Sequence, residues 1–458
     1  MTTTAAVPPV AKETLWGGRY RATTGGLVLL VTLVAFEAMS VGTAMPTMVA
    51  DLGGQALYSW PFTAFLAASV VGTVLSGRVA DTRGPRLPLL AGPVFFAAGL
   101  LVAGFAPTME LLLAGRVLQG LGGGIQIVAL YALVGLVYPE STRPAVFGVI
   151  SAAWVLPALV GPVVAGLLTE HASWRWVFLG LAPFVALGIG LLVPMLRRLP
   201  ESEPTPLVRR WLIAAAVAAA AGLSALTWAA QHPSLVTALL AAGGLLVLAP
   251  ALRTLLPAGT LRAARGLPSV VLARGLLTGS FFAVEAYLPL TLTAVHGTSP
   301  ALAGLPLTVG ALGWSGAAAW QGRHPDIARH RLMRAGFLII AAGLAGTTVG
   351  AFAAAPFWLV LPFWIAAGAG MGLAMPSVSV RLLELSPASD RGFNSAAMQI
   401  WDMLLSAACI GFGGVLLLTV ASAAAPAPAV ITLNVLMAGL ALLGAVLAAR
   451  TAGPPPGD

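Results

Sequence analysis

Charge is what this sequence has least of. Only 9% of its 458 residues are Asp, Glu, Lys or Arg, while 59% are hydrophobic. A water-soluble chain of this length cannot cover its surface with so little charge, so the composition excludes a soluble domain and calls for a surface bathed in lipid. Cysteine is almost absent too. The single Cys409 lies in an apolar run, which excludes a disulfide framework and a cysteine metal site. The five histidines, His171, His232, His296, His324 and His330, lack metal-ligand spacing. No Gly-rich loop ends in Lys-Ser or Lys-Thr, and there is no nucleophile elbow. No cofactor, no metal, no ATP-driven engine and no enzyme activity are therefore expected. The net charge of +9 does not point to nucleic acid, because the basic residues are scattered through short segments between apolar runs.

Those apolar runs are what the sequence has in abundance. A helix crosses a hydrocarbon core in about 20 residues. Fourteen runs of that length can be bracketed, from 26–50 to 427–449, with the seventh and eighth at 209–229 and 235–255. The first is too long for a cleaved signal peptide. With the N-terminus placed inside, all but two of the 24 basic residues fall on the cytoplasmic side. The exceptions are Arg175, on the opposite side, and Arg116, within a span. Dropping one span would destroy this segregation, so an even count with both termini cytoplasmic is expected. Charge alone does not separate twelve spans from fourteen; length does, since 197–267 would otherwise be one long apolar loop. The expected fold class is an all-α polytopic membrane protein. Residues 1–25 form a cytoplasmic tail, 26–198 a six-helix bundle, 199–266 two linker helices, 267–450 a second six-helix bundle, and 451–458 a cytoplasmic tail. A weak repeat supports the two halves: Gly77 to Asp81 is echoed by Gly322 to Asp326 after the tenth span.

A few polar residues interrupt the apolar runs. Glu37 lies near the middle of the first, where an ionised acid costs roughly 2.5–3.5 kcal/mol on insertion scales. It must face a cavity or bond to a neighbouring helix. Arg116 and Gln119 are three residues apart and share a helix face. Arg116 stays charged, so it needs an acceptor or water, and an Arg that only ties helices together would meet that need. Glu285 and Asp402 interrupt two later spans, and Gln399, Asp402 and Ser406 share one face that reads as a cavity lining. Trp154, Phe281, Tyr287, Trp314, Trp364 and Trp401 could add aromatic surface for an apolar or cationic ligand, although packing explains each taken singly. Pro157, Gly161, Pro162 and Gly166 permit a kink and close approach in the fifth span. Between the second and third spans, Gly77 to Arg86 reads as a tight basic turn. Gly77 and Gly84 sit at its bends, and Asp81 is placed to pair with Arg78, Arg83 or Arg86 or to cap a helix.

In order and spacing these motifs resemble those of the major facilitator superfamily, in particular its fourteen-helix drug:proton antiporters. The loop holding Gly77, Asp81, Gly84 and Arg86 resembles the family's signature between helices 2 and 3, with Thr82 and Pro85 in place of two basic residues. Glu37, nine residues before Pro46, resembles the acid of the helix-1 signature, which is more usually Asp. Arg116, Gln119 and Gly120 resemble the helix-4 motif, whose Arg is implicated in proton coupling. Gly161-Pro162 with Gly166 resembles the antiporter motif of helix 5, and Trp174-Arg175-Trp176 the entry to helix 6. Asp402 departs from the family, where a basic residue is common nearby. The resemblance implies a transporter fold and a proton-driven exporter of small amphiphilic or drug-like molecules. It would act as a monomer in the cytoplasmic membrane, with protons, a small-molecule substrate and membrane lipids as partners. Glu37, Arg116, Gln119, Glu285, Asp402 and Gln399 would serve proton coupling or substrate. Other readings remain open: export of an endogenous lipid or metabolite, nutrient import, or a non-transporting membrane scaffold.

Overall fold

Long uninterrupted helices form because the apolar runs offer no water to the backbone, so every amide must bond within its own segment. The computed structural model describes residues 15–18, 20–199, 211–422 and 424–451. Within them, 14 helices are long and apolar enough to cross a membrane. They are α1 (Arg21–Asp51), α2 (Trp60–Arg83), α3 (Arg86–Gly104), α4 (Met109–Val137), α5 (Arg143–His171) and α6 (Trp176–Leu196). Next come α7 (Trp211–Gln231) and α8 (Leu235–Leu255). The second half holds α9 (Leu267–His296), α10 (Pro300–Gly322), α11 (Arg329–Gly346), α12 (Val360–Leu385), α13 (Arg391–Thr419) and α14 (Ala427–Ala448).

Local chemistry sets several boundaries. Thr108 caps α4 by accepting from the Leu111 amide, and Ser299 accepts from Leu302 at the start of α10, which opens with Pro300. Ser234 and Thr237 form a reciprocal capping box at the head of α8. Gly84 ends α2 with φ of 77°, a conformation an L side chain resists.

The same packing pattern occurs twice. In the first half α4 packs between α2 and α3, and α1 lies against α5; in the second, α12 packs between α10 and α11, and α9 lies against α13. Two six-helix bundles and two linker helices result. Small residues let the helices approach closely, as where Gly122 faces the backbone of Phe96 and Gly124 that of Ser69. Linker α7 packs on α8, on α2 and on α13, so it touches both bundles. Its partner α8 is largely bare, with Leu235, Val236 and Leu246 each more than 70% exposed, as a lipid-facing helix should be.

The loops after the even-numbered helices share one face, which carries Arg83, Arg143, Arg197, Arg262, Arg323 and Arg391. The bonds that cross from one bundle to the other lie toward the opposite face. Tyr58 donates its hydroxyl to the Ala286 carbonyl at 3.1 Å, and its ring lies 5.3 Å from that of Tyr287. Thr63 reaches the Ala407 carbonyl at 3.5 Å. The arginine-rich face is stitched within each bundle instead. Arg86 donates to the carbonyls of Leu196 and Arg197, Arg143 to those of Tyr138 and Gly135, and Arg381 to that of Thr451.

The helices differ from the expected runs in three places. The first begins at Arg21, not at residue 26, because Thr23 and Thr24 are buried and Thr24 bonds to Leu15 and Tyr138. The turn between α2 and α3 is shorter than expected. Gly77 to Arg83 continue α2, with Arg78 and Asp81 paired at 3.5 Å along the helix, and Gly84 and Pro85 alone make the bend. Gly77 is therefore not a bend residue. The sixth span breaks at Gly180 and Leu181 into a short turn and a longer helix. Most of both expected tails, 1–14 and 452–458, and the basic Arg209 and Arg210 lie outside the described residues.

Candidate functional site

Glu37 projects from the middle of α1 into the first bundle, where it is fully buried. Arg116 on α4 forms an ion pair with it and is itself 2% exposed. The guanidinium is held on every side. Nη1 donates to Gln119 Oε1 at 2.7 Å, Nε donates to the Pro61 carbonyl at 2.9 Å, and the group lies 4.5 Å over the Phe65 ring. The three-residue spacing of Arg116 and Gln119 thus does what a helix face allows: one side chain orients the other. Burying an ion pair is costly, and multiple acceptors around the guanidinium are what offset that cost. Glu37, Arg116 and Gln119 are all buried.

Asp402 has a basic partner on a neighbouring helix. Arg274 Nε donates to its Oδ2 at 2.8 Å, and the two side chains are 10% and 15% exposed. Charge segregation along the sequence groups Arg274 with the cytoplasmic basic residues, yet it lies inside α9. The available signal was its number: it falls within the apolar run from 268 to 295, where a charge requires a partner. The pair fastens α9 to α13 beside Trp401, whose indole donates to the Leu272 carbonyl at 3.3 Å.

Glu285, also on α9, is half-buried. It sits one turn beyond Phe281, which packs on the rings of Trp314 and Trp364, and one residue before the carbonyl held by Tyr58. Gln399, Asp402 and Ser406 rise along one face of α13, and they are exposed, half-buried and buried in that order. Exposure on this face thus falls from the arginine-rich end of α13 toward mid-membrane. The structure therefore places Gln399, Asp402 and Ser406 on one face of α13. It keeps Glu37, Arg116 and Gln119 in a separate, sealed pocket.

Pro157, Gly161, Pro162 and Gly166 are all buried within an α5 that stays helical through both prolines. Ser40 of α1 donates to the Gly161 carbonyl at 3.3 Å. A Cβ on Gly166 would fall 2.5 Å from Ala301 Cα of α10, so this glycine is a place where the two bundles touch. A separate cavity of about 390 Å³, lined by Asp326, Arg329, His330, Arg381 and Glu384, lies at the arginine-rich surface, away from the acids within the bilayer. On the opposite face Arg175 pairs with Asp51 at 3.0 Å and reaches the Ala106 carbonyl, which neutralises the one basic residue stranded there.

Comparison with known proteins agrees with this fold. A family model described as Major Facilitator Superfamily matches residues 27–407. The chain is 28% identical over 442 residues to a probable multidrug-efflux transporter of Mycobacterium tuberculosis, covering 92% of each protein. It is 35% identical over 210 residues to an acurin A biosynthesis cluster transporter of Aspergillus aculeatus, but covers only 38% of that protein. The crystal structure of a peptide transporter with bound alafosfalin shares the fold, with a TM-score of 0.71 over 98% of each chain at 18% identity.

Proposed function

The chain belongs to the major facilitator superfamily, and from that premise we propose that it is a proton-coupled exporter of small amphiphilic or drug-like molecules. It works by alternating access: the two bundles rock about the cleft between them. The arginine-rich face is the cytoplasmic one, by the positive-inside rule, so both termini are cytoplasmic and the protein resides in the cytoplasmic membrane. The full-length likeness to a multidrug-efflux transporter supports export of drug-like molecules. Both bundles and the cleft belong to one chain, which supports a working monomer surrounded by lipid.

The observation that carries proton coupling is the sealed pair of Glu37 and Arg116. A carboxylate this deeply buried needs a positive partner, and the Arg116 guanidinium supplies it. If a change of packing draws Arg116 away from it, Glu37 is left uncompensated and takes up a proton. Conformational exchange between the bundles then becomes proton exchange. Substrate enters from the cytoplasm along Gln399, toward Asp402 and Glu285. Glu285 supplies a carboxylate for a cationic amphiphile, and Phe281, Trp314 and Trp364 lie close beside it. Export of an endogenous metabolite is a second reading, favoured by the likeness to the biosynthesis-cluster transporter, and it uses the same residues.

The test is Glu37→Gln in proteoliposomes carrying an imposed pH gradient, screened over dyes, drugs and lipids beside a binding measurement. Gln keeps the shape and hydrogen-bonding capacity but cannot ionise. Gradient-driven export should be lost while binding of neutral substrates survives. Export at wild-type rates across the pH range would make Glu37 structural and remove it from coupling.

A further inference from the structure

Linker helix α7 is Ala-rich and apolar, yet it carries Gln231 at its last position, and that side chain is 6% exposed. A buried amide in a membrane helix needs partners, and both of those found here are on another element. Gln231 Oε1 accepts from Trp60 Nε1 at 2.7 Å, and its Nε2 donates to Ser59 Oγ at 3.1 Å. Ser59 and Trp60 adjoin Tyr58, whose hydroxyl closes the bundles against Ala286. The third wall is α13. A Cβ on Gly414 would lie 2.7 Å from Gln231 Nε2, and one on Gly411 would lie 2.8 Å from Thr227 Cγ2 of α7. The Trp228 ring, one turn below, meets Trp60 edge-on at 5.8 Å. At this point α2 of the first bundle, α13 of the second and the linker all touch.

We infer that the linker pair is a clasp on the outer gate, and that Gln231 is a positioning residue holding α2 against α13 while the cleft is open to the cytoplasm. The inference rests on the alternating-access reading above. When the bundles part on the outer side, α2 and α13 separate, and α7 cannot keep both seats. The close seats at Gly411 and Gly414 keep α7 on α13 as α2 moves away, so the two bonds to Ser59 and Trp60 break on opening and favour the outer-closed state; a bond that favours one state shifts the population by its differential strength. Without the linker's hold, the gate would rest on the Tyr58 and Thr63 bonds and on the glycine contact at Ala301.

The test uses the full chain in lipid nanodiscs, with Cys409→Ala as background and spin labels at Gln55 and Thr419. These exposed positions lie beside the outer ends of α2 and α13. Gln231→Met keeps the volume and removes both bonds. The ratio of long to short label distances should rise about tenfold, the scale of two lost buried hydrogen bonds. Trp60→Phe removes the donor from the other side and should raise it as well. The double variant should add little to the larger single effect, because the shared bond is already gone. Unchanged distances in both single variants, or fully additive effects, would overturn the clasp. The distances report the gate whether or not a transported substrate is found, so failure of the export assay leaves this result readable.

Discussion

At the scale of single residues, two buried ion pairs of different origin organise the interior. Arg116 was legible because a charge in an apolar run stands out, and its three-residue spacing from Gln119 fixed their shared face. The partner of Asp402 was not legible. Arg274 is 128 residues away in sequence and only two turns into its helix, so it resembled a loop arginine until the fold brought α9 against α13. The pairing yields a prediction. Asp402→Asn leaves the Arg274 charge without a counterion, whereas Asp402→Asn with Arg274→Gln removes both charges. The single change should destabilise the protein by about 3–5 kcal/mol and the double change by much less, because most of the penalty is the stranded charge. Thermal unfolding in detergent micelles, read as a double-mutant cycle, checks this. A double-variant loss equal to the sum of the separate Asp402→Asn and Arg274→Gln losses would mean that the pair contributes no coupling.

At the scale of elements, the helix count and the doubled packing pattern followed from run length, charge segregation and the repeat of Gly77 to Asp81 at Gly322 to Asp326. Turn geometry did not follow as closely. Gly77 and Gly84 look alike in sequence, but Gly84 has the positive φ and Gly77 lies in a regular helix. The glycines of α5 differ in a similar way, and the contrast can be tested. Gly148 has open space where a Cβ would go, whereas Gly166 faces Ala301 of α10. Gly148→Ala should therefore be neutral or stabilising by up to roughly 1 kcal/mol, from helix propensity alone. Gly166→Ala overpacks the seam between the bundles and should cost about 1–3 kcal/mol of its closure. Hydrogen exchange of the first turns of α10 reads the difference. Faster exchange is expected in Gly166→Ala and wild-type exchange in Gly148→Ala. The same rates in both would place the seam elsewhere.

At the scale of the whole molecule, the alternating-access reading proposed above takes the bonds across the seam opposite the arginine-rich face and the graded exposure along α13 as one state of a two-state machine, with the cleft open at the arginine-rich face. Sequence motifs could not reveal that state, since both conformations use the same residues and differ only in which ends of the bundles touch. The gradient makes a prediction about access and sidedness together. In a Cys409→Ala background, Gln399→Cys and Ser406→Cys place thiols at the mouth and in the narrow part of the cleft, seven residues apart on the same face. A membrane-impermeant maleimide needs an exposed thiolate, so labelling should track accessibility. Gln399→Cys should label from the cytoplasmic side, in inside-out vesicles, at least about tenfold faster than Ser406→Cys, and neither should label from outside. Adding Gln231→Met should slow the Gln399→Cys reaction, because molecules with the outer gate open close the cytoplasmic mouth. Labelling of Gln399→Cys from the outside would invert the topology. Equal labelling of the two positions would mean that the cleft does not narrow along α13, and the gate would have to be sought nearer the arginine-rich face.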